Sequence, residues 1–225
     1  MKWFVAASIA IGTFGTVKAD SMSYTNSASG LTDWIKQLSL TQFNPTLGDL
    51  QSVTISLSAS LNSTFTITNT GISTYGANSM AQRNLLVFLG SSAVDQAVDA
   101  NNPNGVGSAW LFLLSNPLNI ANLAPNAHVS GTKNGSDGPN EADYTDNTTL
   151  GYFEGTGTTL LDVFTQSGFT MTIYNGSSYD SAQSTTAIVN GIVTYDFTPA
   201  TVPEPSPLAL LGMGLLMLWP LIRKR

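Results

Sequence analysis

Oxygen-bearing side chains are the groups in this sequence best suited to chemistry. They concentrate in the stretch "SDGPNEADYTDNTTLG", and a second stretch containing Asp95 and Asp99 runs into "NNPNG". In the first stretch these side chains are Asp137, Asn140, Glu141, Asp143, Asp146 and Asn147. Calcium takes six to eight oxygen ligands, so an acidic loop at 137–147 is a candidate calcium site, although its spacing differs from that of an EF-hand. The alternative, which we favour, is a solvated acidic loop. We therefore expect no metal site and no cofactor, with calcium as the open alternative.

Catalytic arrangements are weakly represented. The single histidine, His128, follows "NLAPNA" without a recognised nucleophile motif nearby. Ser130 and Lys133 have the spacing of a Ser-Lys pair but lack its companion motifs. Two carboxylates would suffice for a glycosidase, yet their separation in space cannot be inferred from sequence. We assign no catalytic residue and expect that the protein is not an enzyme.

Charge and cysteine content exclude several classes of protein. The chain has no cysteine, so disulfides and Cys-ligated metal or redox centres are ruled out. From Asp20 to Glu204 there are only three basic residues against all 14 acidic ones. Such a surface repels phosphate backbones, and we expect no nucleic-acid partner.

Aromatic side chains provide a second type of candidate site, because a ring can stack on the apolar face of a sugar. The candidates are Trp110, Tyr144, Tyr152, Tyr174 and Tyr179. Most of them alternate with polar residues as strand residues do, so packing in a core is the competing interpretation.

The elements that would position these residues are β-strands. From Gln51, five apolar residues alternate strictly with Ser and Thr, the pattern of a strand with one buried face. The same alternation recurs around Phe169 and Val193. We predict an all-β domain over 20–198, an antiparallel β-sandwich of the jelly-roll type.

Two further patterns refine this prediction. The runs "LLVFLG" at Leu85 and "WLFLLS" at Trp110 are continuously apolar, as in strands covered on both faces. Asn190-Gly191 lies between two strand-like segments and predicts a tight hairpin. Asn104-Gly105, Asn134-Gly135 and Asn175-Gly176 predict further turns.

The two ends of the chain have a different character. Residues 1–19 contain a lysine, an apolar run and small residues before a cleavage-like site, which predicts a secretory signal peptide cut after Ala19. At the other end, a proline-rich linker at 199–207 precedes an uncharged segment at 208–222. A helix of that length is a marginal membrane span, and a buried C-terminal helix is the alternative. Arg223, Lys224 and Arg225 would hold the end of the span in the cytoplasm.

The tail at 202–225 resembles the PEP-CTERM sorting domain in three parts. Pro203, Glu204 and Pro205 match its motif, followed by the weak apolar span and the basic cluster at 223–225. The resemblance implies an exported protein of a Gram-negative bacterium that makes extracellular polysaccharide. It also implies the Sec machinery and signal peptidase as partners, transient anchoring in the inner membrane, and cleavage near the Pro-Glu-Pro by an exosortase.

The body resembles a domain family called choice-of-anchor E. The resemblance covers about two dozen residues from Leu38 to Ser60. The matching residues are Phe43, Asn44, Pro45, Leu47, Gly48, Leu50 and Val53. No activity is implied by this resemblance. We predict a strand, a proline turn and a second strand here, with Phe43 and Leu47 packed on the core.

Two functions remain open at this point. One is a structural or interaction protein of the cell surface or the exopolysaccharide matrix, with extracellular polysaccharide as a candidate partner. The alternative is a carbohydrate-binding module that uses a concave sheet face or calcium-ordered loops.

Overall fold

The computed structural model describes residues 19–176 and 178–200. Almost all regular structure within them is β. The strands are β1 (Asp20–Leu31), β2 (Ile35–Thr41), β3 (Gly48–Asn69), β4 (Met80–Leu89), β5 (Leu111–Leu114), β6 (Leu118–Asn119), β7 (His128–Tyr144), β8 (Thr158–Thr172) and β9 (Tyr179–Pro199). Two short helices, α1 (Ala93–Asp99) and α2 (Asn147–Phe153), lie in the connections between strands.

The strands form two antiparallel sheets. The first has the order β1-β9-β3-β7 and the second the order β2-β8-β4-β5, with β6 paired to β4. The first strand, β1, therefore lies beside the last, β9, and β2 lies beside β8. This nested order across two sheets is that of an eight-stranded jelly roll, with β6 as an addition. The predicted all-β sandwich is confirmed.

Alternation of side chains explains why the sheets pack as they do. Along β3, Val53, Ile55 and Leu57 are buried, whereas Thr54 and Ser58 face outward and are half-buried. The inward residues of both sheets form one large core, and a smaller apolar cluster around Phe65 and Ile67 fills one end. The period-two pattern thus fixes which face of each strand is buried.

Arg83 and its partners lie near the boundary between the two clusters. Its guanidinium donates to Thr185 Oγ1 at 3.2 Å, Gln183 Oε1 at 2.9 Å and Ser167 Oγ at 2.7 Å. Ser63, fully buried, shares a 2.9 Å hydrogen bond with Thr185. Burial lowers the pKa of Arg83, and the nearby Asp33 carboxylate partly offsets this effect.

The proline turn predicted between two strands is confirmed. Pro45–Leu47 forms a 3₁₀ turn between β2 and β3, and the Asn44 side chain accepts from the amide of Thr46 at 3.0 Å. Phe43 is fully buried as predicted, but Leu47 is 41 % exposed. The prediction for Leu47 is therefore wrong, because the turn directs its side chain to solvent.

The tight hairpin predicted at Asn190-Gly191 is wrong. Both residues lie inside the continuous strand β9, which pairs with β1 on one side and β3 on the other. A Cβ at Gly191 would lie 2.8 Å from Leu38 Cδ1, so the glycine makes room for a core side chain rather than for a turn. Asn134-Gly135 likewise lies within β7, whereas Asn104-Gly105 and Asn175-Gly176 do form turns.

The apolar runs in the second sheet are covered on one face only. Leu111 and Leu113 are buried, but Phe112 and Leu114 on the opposite face are 51 % and 49 % exposed. The prediction of burial on both faces is wrong for β5, since this strand is at the edge of the sheet and no layer packs outside it in the described residues. On the same outer face, Phe88 and Phe164 stack with ring centroids 4.9 Å apart.

Within residues 19–176 and 178–200, no helix has the length and apolar character needed to span a membrane. Residues 1–18 of the signal peptide predicted at 1–19 lie outside the described residues, as do the sorting motif at 203–205, the apolar segment at 208–222 and the basic cluster at 223–225. Ala19, after which the signal peptide is predicted to be cut, is described directly before β1.

Candidate functional site

The acidic stretch is a strand followed by a helix start rather than a loop, so the predicted acidic loop is wrong. Asp137 Oδ2 accepts from the amide of Phe112 at 2.8 Å, and Asp143 Oδ1 accepts from Thr54 Oγ1 at 2.6 Å. Asp146 caps α2 through the amide of Thr149 at 2.9 Å, and these hydrogen bonds lower its pKa. Because these three carboxylates serve different structural bonds, the stretch is not a preformed cation site.

The carboxylates of the second stretch are also structural. The buried Asp95 accepts from the Ser92 amide and hydroxyl at 3.0 and 2.6 Å and from the Asp162 amide at 2.9 Å. Asp99 accepts from Trp110 Nε1 at 3.0 Å. In the part of the chain that the structure describes, no three His, Asp or Glu side chains are grouped so that they could hold a metal ion.

The sequence-based catalytic candidates do not converge. His128 is exposed at the start of β7, opposite Thr68. Ser130 and Lys133 lie on opposite faces of the same strand, because an odd spacing in a strand reverses the side chain. The Ser130 hydroxyl is hydrogen-bonded to Thr66 at 2.9 Å. The arrangement does not assemble a Ser-Lys pair.

Two of the five candidate aromatic residues are exposed. Trp110 and Tyr144 are buried, and Tyr152 packs against the core. Burial raises the pKa of Tyr144, and its hydroxyl donates to the carbonyl of Val98 at 2.5 Å. Tyr174 and Tyr179 are 51 % and 45 % exposed. Packing is thus the correct interpretation for the larger part of the set.

The outward face of the first sheet, which we term the hydroxyl face, is the most distinctive surface in the described chain. Serine, threonine and asparagine occupy most of the outward positions of its four strands, in cross-strand rows. The rows that run from β1 through β9 and β3 to β7 include Ser23–Thr194–Thr54–Asp143, Thr25–Ile192–Ser56–Glu141, Ser27–Asn190–Ser58, Ser29–Ile188–Ser60–Ser136 and Leu31–Thr186–Asn62–Asn134.

Rows towards the two ends of the hydroxyl face pair their own polar groups. Ser23 and Thr194 share a hydrogen bond of 2.8 Å, and Thr54 donates to Asp143 in the same row. Towards the other end, Thr64 and Thr132 lie 3.4 Å apart, and the next row contains the Thr66–Ser130 bond. The polar side chains of such rows hydrogen-bond each other and leave few free donors or acceptors for a ligand.

The four central rows, which pass through Ile192, Asn190, Ile188 and Thr186 of β9, differ from the end rows. Among the described residues, none of their side-chain hydroxyl or amide groups hydrogen-bonds another protein group, although most of these side chains are exposed. They are left to water or to a ligand, and a polar ligand that replaces the water can bond to several of them at once. The central rows are therefore the candidate binding site.

Two shallow grooves lie on the central rows. One, of about 490 Å³, is lined by Thr25, Asn26, Ser27, Asn190 and Ile192. The other, of about 620 Å³, is lined by residues of β9, β3 and β7 and by Leu114 and Asn116. A Cβ at Gly135 would lie 2.1 Å from the Leu114 carbonyl oxygen, so only glycine allows β7 to approach β5 this closely.

Apolar and polar groups alternate on the floor of these grooves. Ile188 and Ile192 are 41 % and 37 % exposed, with Asn190 between them on the same face. A sugar ring presents C–H groups on its faces and hydroxyls at its rim, and binding sites with a few apolar contacts among placed polar groups suit such a ligand.

The charge of the hydroxyl face also determines which ligands it can bind. The lining of both grooves is free of ionisable side chains. The nearest charged position in the central rows is Glu141 at the β7 end, in the row of Ile192 and Ser56. A neutral ligand meets no electrostatic penalty here, whereas a polyanion is repelled by the acidic body.

Sequence reasoning missed this site because it used the alternation only to find the buried face. The signal was present in the other half of the pattern, in Ser56, Ser58, Ser60 and Asn62 of β3. What the sequence did not show is that β9 passes beside β3 as one strand, which places Ile188 and Ile192 among these groups.

Comparisons with known proteins add little to this description. No protein-family model matches the chain, and no curated protein matches it. A structure of Desmodium yellow mottle tymovirus is 11 % identical over 91 % of this chain and 99 % of its own, with a TM-score of 0.21. A structure of turnip yellow mosaic virus is 9 % identical over 90 % of this chain and 92 % of its own, with a TM-score of 0.22. Arcelin-5, a lectin-like defense protein from Phaseolus vulgaris, is 11 % identical over 79 % of this chain and 99 % of its own, with a TM-score of 0.18. These TM-scores are too low to support an argument, so the jelly-roll assignment is based on strand order.

Proposed function

We propose that this chain is an exported structural or interaction protein of the cell surface or the exopolysaccharide matrix, and that its hydroxyl face is the surface that meets neutral extracellular polysaccharide. The observation that carries the second part is the set of central rows, whose exposed hydroxyl and amide groups have no partner among the described residues. They flank the half-exposed Ile188 and Ile192. The surface fits an uncharged, hydroxyl-rich polymer and needs no metal.

The proposal for export and sorting is based on the two chain ends. A leader cut after Ala19 would free the amino end of β1, which begins at Asp20. The PEP-CTERM-like tail would lodge residues 208–222 in the inner membrane, with the basic cluster at 223–225 in the cytoplasm, until an exosortase cuts near Pro203–Pro205. Because β9 ends at Pro199, such a cut would leave both sheets intact.

Intact mass of protein recovered from the culture medium tests the export proposal. We expect a chain that starts near Asp20 and ends between Pro203 and Pro205, and we expect the uncut form in the membrane fraction of cells that lack the exosortase. Recovery of released protein that still contains Trp219 and the terminal cations would contradict the proposal.

A second candidate function is a carbohydrate-binding module that recognises one glycan selectively. The lining of the larger groove favours it, since Leu114 and Asn116 add contacts from the segment around β5 to those of the hydroxyl face. A glycan array with and without chelator separates the two functions. Selective binding to one glycan supports the module, and weak, broad binding to matrix polysaccharides supports the structural protein. Absence of binding to all of them contradicts polysaccharide as the partner of the hydroxyl face.

A further inference from the structure

The two edges of the first sheet are protected very differently. At one edge, β7 contains Lys133, Pro139 and several acidic residues, and its register against β3 shifts between Leu57 and Ala59. The segment around β5 also covers it, since Asn116 N donates to Asn134 O at 2.8 Å. Prolines, charges and bulges are the usual means by which proteins prevent an edge strand from pairing with another chain.

At the other edge, β2 contacts the second half of β1: Lys36 Nζ donates to the Ser29 carbonyl, and Ser39 N donates to Asn26 Oδ1. Otherwise β1 has none of these protections. It pairs with β9 over 12 consecutive residues with no register shift, and it contains no proline. Asp20 at its start is its one charged residue. A long, regular and uncharged edge strand presents a template for a further strand.

The direction of the open backbone groups follows from two contacts. Thr32 N donates to Thr185 O at 2.9 Å, so in this antiparallel ladder the even-numbered residues of β1 direct their N–H and C=O groups at β9. Consistently, the carbonyl of Ser29 is reached from the open side by Lys36 Nζ. The odd-numbered residues of β1 that precede Ser29 therefore direct their backbone groups at the open edge: Ser21, Ser23, Thr25 and Ser27.

We propose that β1 is a self-association edge, where two copies of this chain pair antiparallel through these four residues. A two-fold axis opposite Tyr24 pairs Ser23 with Thr25 of the second copy and Ser21 with Ser27, which gives about eight backbone hydrogen bonds. The partner is a second copy because the pairing region is uncharged and self-complementary, with hydroxyls opposite hydroxyls on the outer face.

Charge distribution supports this geometry over other contacts between copies. The body is strongly acidic, so two copies repel one another wherever acidic surfaces meet. In the antiparallel arrangement the two Asp20 carboxylates lie roughly 27 Å apart along the strands, well beyond the screening length of about 8 Å. The acidic strand β7 lies on the far side of each sheet.

Pairing along β1 would join the two hydroxyl faces into one continuous surface. The outward hydroxyls of Ser23, Thr25 and Ser27 would then lie at its centre instead of at its border. Two central sets of rows on one surface would raise the avidity for a polymer without any new contact to it. The pairing itself needs no polysaccharide, so its test is separate from that of the proposed function.

Sedimentation velocity of the full chain in mild detergent, with and without Thr25→Pro, tests the proposal. The Thr25 N–H faces the open edge, so proline removes no bond within the chain and the fold is retained. We expect dimers for the wild type and for the matched control Thr25→Val, which keeps the N–H, and monomers for Thr25→Pro. A monomeric wild type at all concentrations, or a Thr25→Pro dimer as stable as the wild type, would overturn the proposal.

Cysteine pairing gives a second readout that does not depend on tolerance of proline. The chain has no native cysteine. A mixture of Ser23→Cys and Thr25→Cys should form a disulfide-linked dimer under mild oxidation, since these positions lie opposite each other at about 5.5 Å between Cα atoms. Each variant alone should cross-link far less, because its own copies are diagonal neighbours about 7–8 Å apart. Equal cross-linking in the mixture and in the single variants would contradict the register.

Discussion

Ile188 and Ile192 lie on the same outward face of β9, four residues apart, and they are the two large apolar side chains that β9 contributes to the central rows. Each belongs to a row whose other members carry hydroxyl, amide or carboxylate groups. This arrangement places apolar contacts at intervals in a polar, uncharged groove. A ligand that exploits it must carry both C–H surfaces and hydroxyls.

Binding to the hydroxyl face should be nearly independent of salt. The groove lining contains no ionisable side chain, so no counterions are released when a neutral polymer binds. We expect the affinity for a neutral polysaccharide to change less than about twofold between about 0.05 and 0.5 M NaCl, because screening acts on charges. Isothermal titration across this range measures it. A steep salt dependence would indicate that charged residues outside the grooves provide the contact.

Calcium should neither stabilise the protein nor alter binding. Asp137, Asp143 and Asp146 each accept a hydrogen bond from a different part of the chain, and regrouping them around a cation would break those bonds. We expect thermal unfolding to shift by less than about 1 °C with about 5 mM calcium, which exceeds the range in which extracellular calcium modules bind. A clear rise in unfolding temperature that EDTA reverses would revive the calcium interpretation.

Removing Arg83 should weaken the fold without affecting the hydroxyl face. Its guanidinium holds Ser167 and Thr185, which belong to opposite sheets. We expect Arg83→Ala to lower the free energy of unfolding by about 2 kcal/mol, since hydrogen bonds between the sheets are lost. Chemical denaturation measures this change, and polysaccharide affinity at a temperature where the variant is folded provides the control. An unchanged free energy of unfolding would show that the Arg83 hydrogen bonds between the sheets do not stabilise the fold.

Alkaline pH should destabilise the protein through buried tyrosines. Burial raises the pKa of Tyr144 and of Tyr195, whose hydroxyl donates to the carbonyl of Thr41 at 2.7 Å. The folded state therefore keeps these phenols neutral while the unfolded chain ionises near pH 10, so their contribution is complete below pH 10 and is lost as the pH rises above it. We expect tyrosine absorbance to show delayed, cooperative ionisation that coincides with unfolding. In Tyr144→Phe, the loss of stability above pH 10 should be smaller.

Most of the fold could be predicted from the sequence, because period-two alternation determines which side of each strand is buried. Val53, Ile55 and Leu57 are buried as this pattern predicted. Local turn chemistry was less reliable. Asn190-Gly191 has the composition of a hairpin, but Leu38 from the other sheet fills the space above Gly191, a contact between residues far apart in sequence.

The candidate site was less predictable than the fold for a related reason. Carboxylates were selected for their chemical capacity, yet those of Asp95 and Asp99 hold the start of α1 and Trp110 in place. The central rows consist of unreactive side chains that become a site only when β1, β9, β3 and β7 are placed side by side. That order depends on contacts across more than 100 residues of chain, as between Ser60 and Ile188.

The affinity of the double variant Ile188→Ser and Ile192→Ser for a neutral polysaccharide of the producing cell's matrix tests the central claim most directly. Both side chains are partly exposed, so the free energy of unfolding should stay within about 1 kcal/mol of wild type. Loss of their apolar contacts should remove about 2 kcal/mol of binding free energy, roughly a 30-fold weaker affinity. The control Ile72→Ser, at a residue 97 % exposed outside the hydroxyl face, should bind like the wild type. If the double variant binds as tightly as the wild type, the hydroxyl face is not the binding surface and the account is wrong.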